Sequence, residues 1–175
     1  MEKTFYKEEQ RFGSWWLWLI LIITTVISTI PFIYGIYSQE VLGIPWGNHP
    51  GKTSLLVFAL VFDSLIMGGL WFFIAKMKLI VEIKSDGIWY KYPPQYSKWR
   101  NIKKEEIERY ELRLYKPVIE YGGSGIKGNR KNRALSARGN IGLQLYLKDG
   151  KKLLIGTQRR QALEHAVIKM MNSYE

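Results

Sequence analysis

Two long runs with almost no charge constrain this chain more than any other feature. The first covers residues 15–37 and holds no charged side chain, and the second covers residues 54–75 and holds one, Asp63. An apolar run of about 20 residues is long enough to cross a bilayer as a helix. A signal peptide fits the first run poorly, because the run is too long and no small-residue cleavage site follows it. We therefore predict two transmembrane helices joined by a loop over residues 38–53.

The basic residues nearest these runs predict their orientation. Three precede the first run within residues 1–14 and three follow the second within residues 76–84, whereas the loop holds only Lys52. Lysine and arginine concentrate on the cytoplasmic side of membrane proteins. The sequence thus predicts a multi-pass protein of the inner (plasma) membrane with both termini cytoplasmic. Residues 1–14 form a cytoplasmic N-terminal segment, and the loop 38–53 is extracytoplasmic.

The basic excess belongs to the C-terminal part of the chain. Residues 1–75 hold 4 basic and 5 acidic residues, a net charge of −1, and residues 76–175 hold 22 and 10, a net charge of +12. The absence of cysteine excludes disulfide scaffolds, cysteine metal sites and cysteine nucleophiles. Only 2 histidines are present, and Ser, His and Asp do not cluster as a catalytic triad. We expect no enzymatic activity, no metal and no cofactor.

Short alternating segments predict a β-rich domain over residues 76–175. Residues 77–84 and 141–147 alternate apolar and polar side chains, and residues 108–115 do so with Tyr110, Leu112 and Leu114 facing inward. The sequences Ser85-Asp86-Gly87 and Asp149-Gly150 predict hairpin turns between strands.

The final segment changes to a helical period. Leu163, Ala166, Val167 and Met170 recur at the spacing of one helix face, which predicts an amphipathic helix that begins near Thr157. Six or seven short strands followed by one helix predict a strongly bent sheet or small barrel capped by that helix.

Four segments of the chain form a distinctive set: YGGSGI at 121–126, GNIGLQL at 139–145, KDGKKLLIGTQ at 148–158 and GIPWG at 43–47 in the loop. With these segments the chain resembles a family of small uncharacterised prokaryotic membrane proteins. The resemblance implies an α+β membrane protein: a two-helix transmembrane hairpin followed by a pleckstrin-homology-like (PH-like) domain of about seven strands with a C-terminal helix. It implies no enzymatic activity. Where such proteins often have proline at the start of that helix, this chain has Arg160.

A basic segment without any acidic residue lies between Tyr121 and Leu147. Its glycines match the dinucleotide-binding pattern G-x-G-x-x-G at 123–128, but that pattern requires a preceding buried strand and a following helix. We interpret the segment as a mobile or edge-strand loop with a solvated basic tip. Its basic residues are Lys127, Arg130, Lys131, Arg133 and Arg138.

The anionic inner leaflet is the first surface that such a tethered segment meets. Each nearby lysine or arginine gains about 1 kcal/mol there. The alternative is that these charges only satisfy the topology rule and keep the domain soluble. Aromatic residues such as Trp89 and Trp99 are better explained by packing than by stacking on bases, so nucleic acid is not an expected partner. We predict an interaction module that contacts either the membrane lipids of the anionic inner leaflet or a protein partner. That partner can be a second copy of the same chain.

Asp63 supports a second hypothesis. A carboxyl group inside a membrane helix is costly and is a candidate functional group. One interpretation is that it bonds the first helix at Thr24, Thr25, Ser28 or Thr29, while Ser64 and Gly68 permit close helix approach. The other is that the chain is a subunit of a small oligomeric transport or channel assembly whose polar path uses Asp63.

Overall fold

The computed structural model describes residues 3–13 and 15–173. The chain divides into two compact units: a helical unit that extends to Ala75, and a β-domain that joins the segment ending at Gly13 to the segment beginning at Lys76. The helices are α1 (Trp15–Glu40), α2 (Thr53–Lys76), α3 (Pro117–Tyr121) and α4 (Arg160–Asn172). The strands are β1 (Thr4–Arg11), β2 (Lys78–Lys84), β3 (Gly87–Tyr92), β4 (Tyr96–Lys103), β5 (Ile107–Leu114), β6 (Gly125–Gly128), β7 (Asn132–Ser136), β8 (Ile141–Leu147) and β9 (Lys152–Thr157).

The helical unit consists of α1 and α2, and both are long and apolar enough to cross a membrane. They extend the predicted runs by a few residues at their ends. Trp71 in α2 joins the helices, because its indole Nε1 donates a hydrogen bond of 3.1 Å to Thr25 Oγ1 and its ring lies 5.5 Å from that of Trp18. Most large apolar side chains of both helices are exposed.

The sequence predicts close approach of the two helices at Gly68, but the structure has its tight contact at Gly35. A Cβ added to Gly68 would meet nothing within 4 Å, whereas one added to Gly35 would lie 2.9 Å from the Trp46 ring. The tight contact at Gly35 therefore involves Trp46 of the loop and also Leu56 of α2, whose Cδ1 would lie 3.1 Å from the added Cβ. Ser64 donates its hydroxyl to the Leu60 carbonyl in its own helix.

The first sheet of the β-domain is an antiparallel meander in the order β1-β2-β3-β4. The predicted inward face of β2, namely Met77, Leu79, Val81 and Ile83, is buried. The β-domain was predicted to begin at residue 76. Strand β1 adds the N-terminal segment to it. The sequence did not predict β1, because its inward positions include the polar residues Glu8 and Gln10.

The buried polar side chains of β1 are bonded to the other end of the domain. Glu8 accepts hydrogen bonds from the Tyr6 hydroxyl, from Thr157 Oγ1 at 2.8 Å and from the Gln158 amide at 2.9 Å. Gln10 Nε2 donates to the Gly156 carbonyl at 2.8 Å. Burial, reinforced by the bond to Glu8, raises the pKa of Tyr6. These bonds join the first strand to the start of the C-terminal segment.

The second sheet has the order β5-β8-β9-β7-β6, in which β7 and β9 are parallel and the other pairs antiparallel. The described chain thus has nine strands in two sheets, more than the six or seven expected. Leu114 is 64% exposed, so its predicted inward orientation is wrong. It lies at the end of edge strand β5, and its partner Ile141 is itself only half-buried.

Helix α4 closes the core of the β-domain. The predicted apolar face is correct, since Leu163, Ala166, Val167 and Met170 are all buried in the main apolar cluster. The helix begins at Arg160 instead of near Thr157, because Thr157 still belongs to β9. The fold of the described residues is therefore α+β, with two long apolar helices, two sheets and a C-terminal helix.

Candidate functional site

A β-hairpin formed by β6 and β7 carries most of the basic segment predicted above. Strands β6 and β7 pair through Gly128 and Arg133, and the turn between them is closed by the Asn129 side chain, which accepts hydrogen bonds from the amides of Lys131 and Asn132 at 2.9 and 2.8 Å. Gly128 has φ = +89°, and a Cβ there would lie 2.1 Å from the Asn132 carbonyl oxygen. Glycine is therefore required at this position, and the expected loop is an ordered edge hairpin.

The structure separates the five predicted basic residues into two groups. Lys127, Lys131 and Arg138 are exposed and do not line the cavity described below. Arg130, which is exposed, and Arg133, which is half-buried, do line it. Three of the five basic residues thus lie outside the cavity, and two line it.

The cavity has a volume of about 450 Å³ and has a basic and an apolar wall. Arg130 and Arg133 come from the β6–β7 hairpin, Lys152 is the first residue of β9, and Lys151 directly precedes it. None of the residues that line it is acidic. The apolar wall consists of Tyr90, Ile102, Leu147 and Leu153.

Parallel pairing of β7 with β9 brings the two basic pairs together. Arg133 lies opposite Leu153 in this pairing, and the Lys152 amide donates a hydrogen bond of 2.7 Å to the Lys131 carbonyl. Sequence reasoning missed Lys151 and Lys152 as site residues. Their position directly after the predicted Asp149-Gly150 turn indicates that they begin a strand. It does not indicate that this strand, β9, pairs with β7.

A pair of arginines surrounds Tyr96 beside the cavity. Arg133 Nη1 donates to the Tyr96 hydroxyl at 3.0 Å, and the Arg100 guanidinium lies 3.7 Å from the centroid of the Tyr96 ring. Burial raises the pKa of neighbouring Tyr90, whereas the charges of Arg100 and Arg133 act in the opposite direction. Positive charge is therefore concentrated here on both sheets, through β4 and β7.

The basic residues of the cavity differ in how far carboxylates neutralise them. Lys151 Nζ lies 2.6 Å from Asp149 Oδ2, so its charge is already paired. Lys152 Nζ lies 5.4 Å from the centroid of the Tyr146 ring. Within the described parts of the chain, no carboxylate forms a salt bridge with Arg130, Arg133 or Lys152. These three cations are available to an anion.

A neighbouring polar cluster is internally satisfied. Arg113 Nη2 lies 2.8 Å from Glu120 Oε2 and also donates to Gln144 Oε1 at 3.2 Å. The Arg113 hydrogen bond lowers the pKa of Glu120. The Tyr121 hydroxyl lies 3.3 Å from Asn132 Oδ1 and 3.4 Å from Gln144 Oε1, and its single proton is donated to one of these two acceptors. Because each group already has a partner, the cluster is explained as a brace between α3 and the second sheet.

Asp63 lies on α2 and contacts α1. Its Oδ2 accepts hydrogen bonds from Ser28 Oγ at 3.2 Å and from Thr29 Oγ1 at 3.0 Å. Two of the four expected partners are therefore present, whereas Thr25 bonds Trp71 instead. These contacts fit the interpretation that Asp63 holds the two helices together.

Comparison with known proteins and a search for metal-ligand groups give no further lead. No known protein-family model matches the chain, and no curated protein matches it significantly in sequence. In the described residues, no group of three or more His, Cys, Asp or Glu side chains is placed to hold a metal ion.

Proposed function

We propose that this chain is a membrane-anchored, non-enzymatic interaction module of the prokaryotic inner membrane. In this proposal α1 and α2 form a transmembrane hairpin, and the β-domain is a PH-like domain on the cytoplasmic side. The basic β6–β7 hairpin contacts the anionic surface of the inner leaflet. The observation that carries the proposal is the exposed, acid-free cluster of Lys127, Arg130 and Lys131 at the end of an ordered hairpin.

The exposed apolar surface of the helical unit supports membrane insertion. Ile27, Phe58 and Leu65 are each between 68% and 70% exposed, although water solvates such side chains poorly. A bilayer can cover this apolar surface. Helices are compatible with that environment because their backbone groups are hydrogen-bonded within the helix.

Strand pairing supports a cytoplasmic location for both chain ends. Strand β1 precedes the helices and β2 follows them, yet Arg11 pairs with Lys78. Paired strands occupy one aqueous compartment, so a chain that crosses the bilayer between them crosses it twice. The basic residues beside both helices then favour the cytoplasmic side.

The charge of the β-domain supports contact with anionic lipid. The segments before residue 14 and after residue 75 hold 25 basic and 13 acidic residues, a net charge of +12, whereas residues 14–75 carry −1. Electrostatic attraction to an anionic leaflet acts within about 8 Å at physiological salt. Two covalent connections, one before α1 and one after α2, keep the domain at the membrane, where even weak attraction orients it.

Hydrogen–deuterium exchange of the full chain in nanodiscs tests the proposal. Peptides that cover residues 125–136 are compared in phosphatidylcholine alone and in phosphatidylcholine mixed with phosphatidylglycerol. Strand β6 is an edge strand, so its outward amides exchange readily unless a surface covers them. We expect slower exchange in the anionic nanodisc, and loss of this protection at high salt.

A charge-matched pair of variants locates the contact. Reversal of Arg130, Lys131 and Arg133 to glutamate is expected to remove the protection by anionic lipid. Reversal of the exposed residues Lys98, Lys103 and Lys148 changes the net charge equally and is expected to preserve it. Equal exchange in the two nanodiscs for the unmodified chain would contradict the lipid contact and favour a protein partner.

The alternative function, a subunit of a small transport or channel assembly, depends on Asp63. Its hydrogen bonds to Ser28 and Thr29 give the carboxyl a role in packing that requires no transport path. We therefore retain the interaction module as the proposed function and test Asp63 separately.

A further inference from the structure

We propose that the cavity lined by Arg130 and Arg133 binds a phosphate monoester carried on an apolar or aromatic group. The phosphate lies against the basic wall and its substituent against the apolar wall. This names the chemistry of a ligand for the proposed interaction module. It rests on the proposed function only if the phosphate belongs to a membrane lipid.

The basic wall selects an anion. Arg130, Arg133 and Lys152 line the cavity, and among the described residues none of the three has a carboxylate partner. Lys151 contributes less, because Asp149 already pairs with it at 2.6 Å. The absence of acidic residues from the lining disfavours a cationic ligand at this place.

Arg133 is held in a fixed position for an oxyanion. It uses Nη1 to donate to Tyr96 at 3.0 Å, which leaves other donors of its guanidinium available. Tyr96 is itself held by the Arg100 guanidinium at 3.7 Å from its ring centroid. Arg130 and Arg133 each carry a planar guanidinium, a group whose paired N–H donors can contact two phosphate oxygens at once.

The apolar wall selects a ligand larger than inorganic phosphate. Ile102 and Leu153 are buried to 5% and 6% exposure and still line the cavity with half-buried Tyr90 and Leu147. A volume of about 450 Å³ falls within the range of small-ligand pockets and far exceeds one phosphate ion. A ligand with both a phosphate and an apolar part satisfies both walls.

This chemistry has two sources. One is a soluble phosphate monoester, and the other is a lipid whose headgroup is a phosphate monoester, such as phosphatidate. The two share the dianionic phosphate and the attached apolar group, so one set of cavity variants applies to both.

The first experiment uses isothermal titration calorimetry on the full chain in phosphatidylcholine nanodiscs, with phenyl phosphate as the probe and inorganic phosphate as its comparison. We expect phenyl phosphate to bind at least about tenfold more tightly, because inorganic phosphate leaves the apolar wall uncovered. Equal affinity for both probes, or no binding of phenyl phosphate, would overturn the proposal.

A pair of double variants with the same charge change tests the cavity itself. Arg130→Gln with Arg133→Gln is expected to weaken phenyl phosphate binding by about tenfold or more, as loss of charge-assisted hydrogen bonds requires. Lys127→Gln with Arg138→Gln removes the same charge from residues outside the cavity and is expected to change affinity by less than about twofold. Equal weakening in both would overturn a specific site.

Two single variants separate binding from folding. Arg130 is exposed and makes no salt bridge among the described residues, so Arg130→Gln is expected to weaken binding without lowering the melting temperature. Arg133→Lys keeps the charge but loses the planar fork, and is expected to bind more weakly than the unmodified chain. Unchanged affinity in both variants would contradict the assignment.

The lipid arm repeats the titration in nanodiscs that contain phosphatidate. If phenyl phosphate fails to bind in phosphatidate nanodiscs but binds in phosphatidylglycerol nanodiscs, phosphatidate is a ligand of the site. If phenyl phosphate binds in both kinds of nanodisc, the ligand is a soluble phosphate monoester. Phenyl phosphate binding without protection of residues 125–136 by anionic lipid would overturn the proposed function and leave the site. Protection without phenyl phosphate binding would overturn the site and leave the proposed function.

Discussion

Thr157 Oγ1 donates a hydrogen bond of 2.8 Å to the Glu8 carboxylate and thereby joins strands β9 and β1 across 149 positions of sequence. Glu8 is 6% exposed and also accepts from Tyr6 and from the Gln158 amide. We expect Glu8→Ala to lower the free energy of unfolding by about 3 kcal/mol, because three donors, of which Tyr6 and Thr157 are buried, lose their carboxylate acceptor. Thermal unfolding of the full chain in detergent measures this loss.

The neighbouring residue Glu9 is the control for Glu8. Its carboxylate lies 2.9 Å from Lys78 Nζ, but both side chains are more than a third exposed. A surface pair of this kind contributes no more than about 1 kcal/mol, so Glu9→Ala is expected to lower the melting temperature only slightly. A similar fall for both variants would contradict the assigned role of Glu8.

Asp63 offers a test between helix packing and ion transport. Asp63→Asn keeps a hydrogen-bond acceptor for Ser28 and Thr29, whereas Asp63→Leu removes it. We expect the leucine variant alone to destabilise the helix pair, by about 0.6 to 2 kcal/mol, a range typical of membrane hydrogen bonds. A double-mutant cycle with Thr29→Ala, measured by thermal unfolding in detergent, gives the coupling.

The transport hypothesis makes the opposite prediction for the asparagine variant. A path that moves protons or cations needs the ionisable carboxyl, so Asp63→Asn would abolish ion-driven uptake into proteoliposomes. An interaction module keeps its protection by anionic lipid in the same variant. Loss of uptake with intact folding would favour the transport assembly.

Gly128 is expected to be essential to the basic hairpin. Its φ of +89° is strained for other residues, and an added Cβ would lie 2.1 Å from the Asn132 carbonyl oxygen. Gly128→Ala is therefore expected to accelerate amide exchange over residues 126–135 and to weaken phenyl phosphate binding. Gly150→Ala is the control, because its φ is +78° but a Cβ there meets nothing within 4 Å. That variant carries only the backbone strain, roughly 1 to 2 kcal/mol.

Tyr92 is expected to make the folded domain less stable as the pH rises into the alkaline range. It is fully buried, its hydroxyl donates to the Ser136 carbonyl at 3.2 Å, and burial raises its pKa. The unfolded chain loses the phenolic proton near pH 10, whereas the folded domain retains it. The stabilisation is therefore complete below about pH 10 and is lost above it, by up to about 1.4 kcal/mol per pH unit for one tyrosine.

Melting temperatures between about pH 9 and pH 11 measure this loss, because the unfolded-state pKa lies inside that interval. Tyr92→Phe removes one titrating group, so its stability should fall less steeply as the pH rises. An identical slope for the variant would show that Tyr92 does not ionise on unfolding.

The sequence predicted those elements whose pattern is complete within a short segment. Helices α1 and α2 follow from the length of the apolar runs, and α4 follows from the spacing of Leu163, Ala166, Val167 and Met170. Strand β1 was missed because Glu8 and Gln10 occupy its inward positions. Their burial is acceptable only because Thr157 and Gly156 are nearby in space, which no local pattern reveals.

The candidate site was predictable in part for the same reason. The five basic residues between Tyr121 and Leu147 were found from the absence of acidic neighbours. Their division between solvent and cavity depends on the parallel pairing of β7 with β9, and on Tyr96 reaching Arg133 from the other sheet. Such contacts are set by the tertiary fold and leave no signal in the spacing of residues.

Strand β1 also imposes an order on the biosynthesis of this protein. It is synthesised before both long helices, whereas its pairing partner β2 is synthesised only after them. During that interval the amides of β1 and the carboxylate of Glu8 have no native partners. The β-domain is therefore completed only after the helix pair has been made. A chain in which β1 fails to pair with β2 would keep an open strand edge, which favours aggregation and exposes the defective copy to proteolysis.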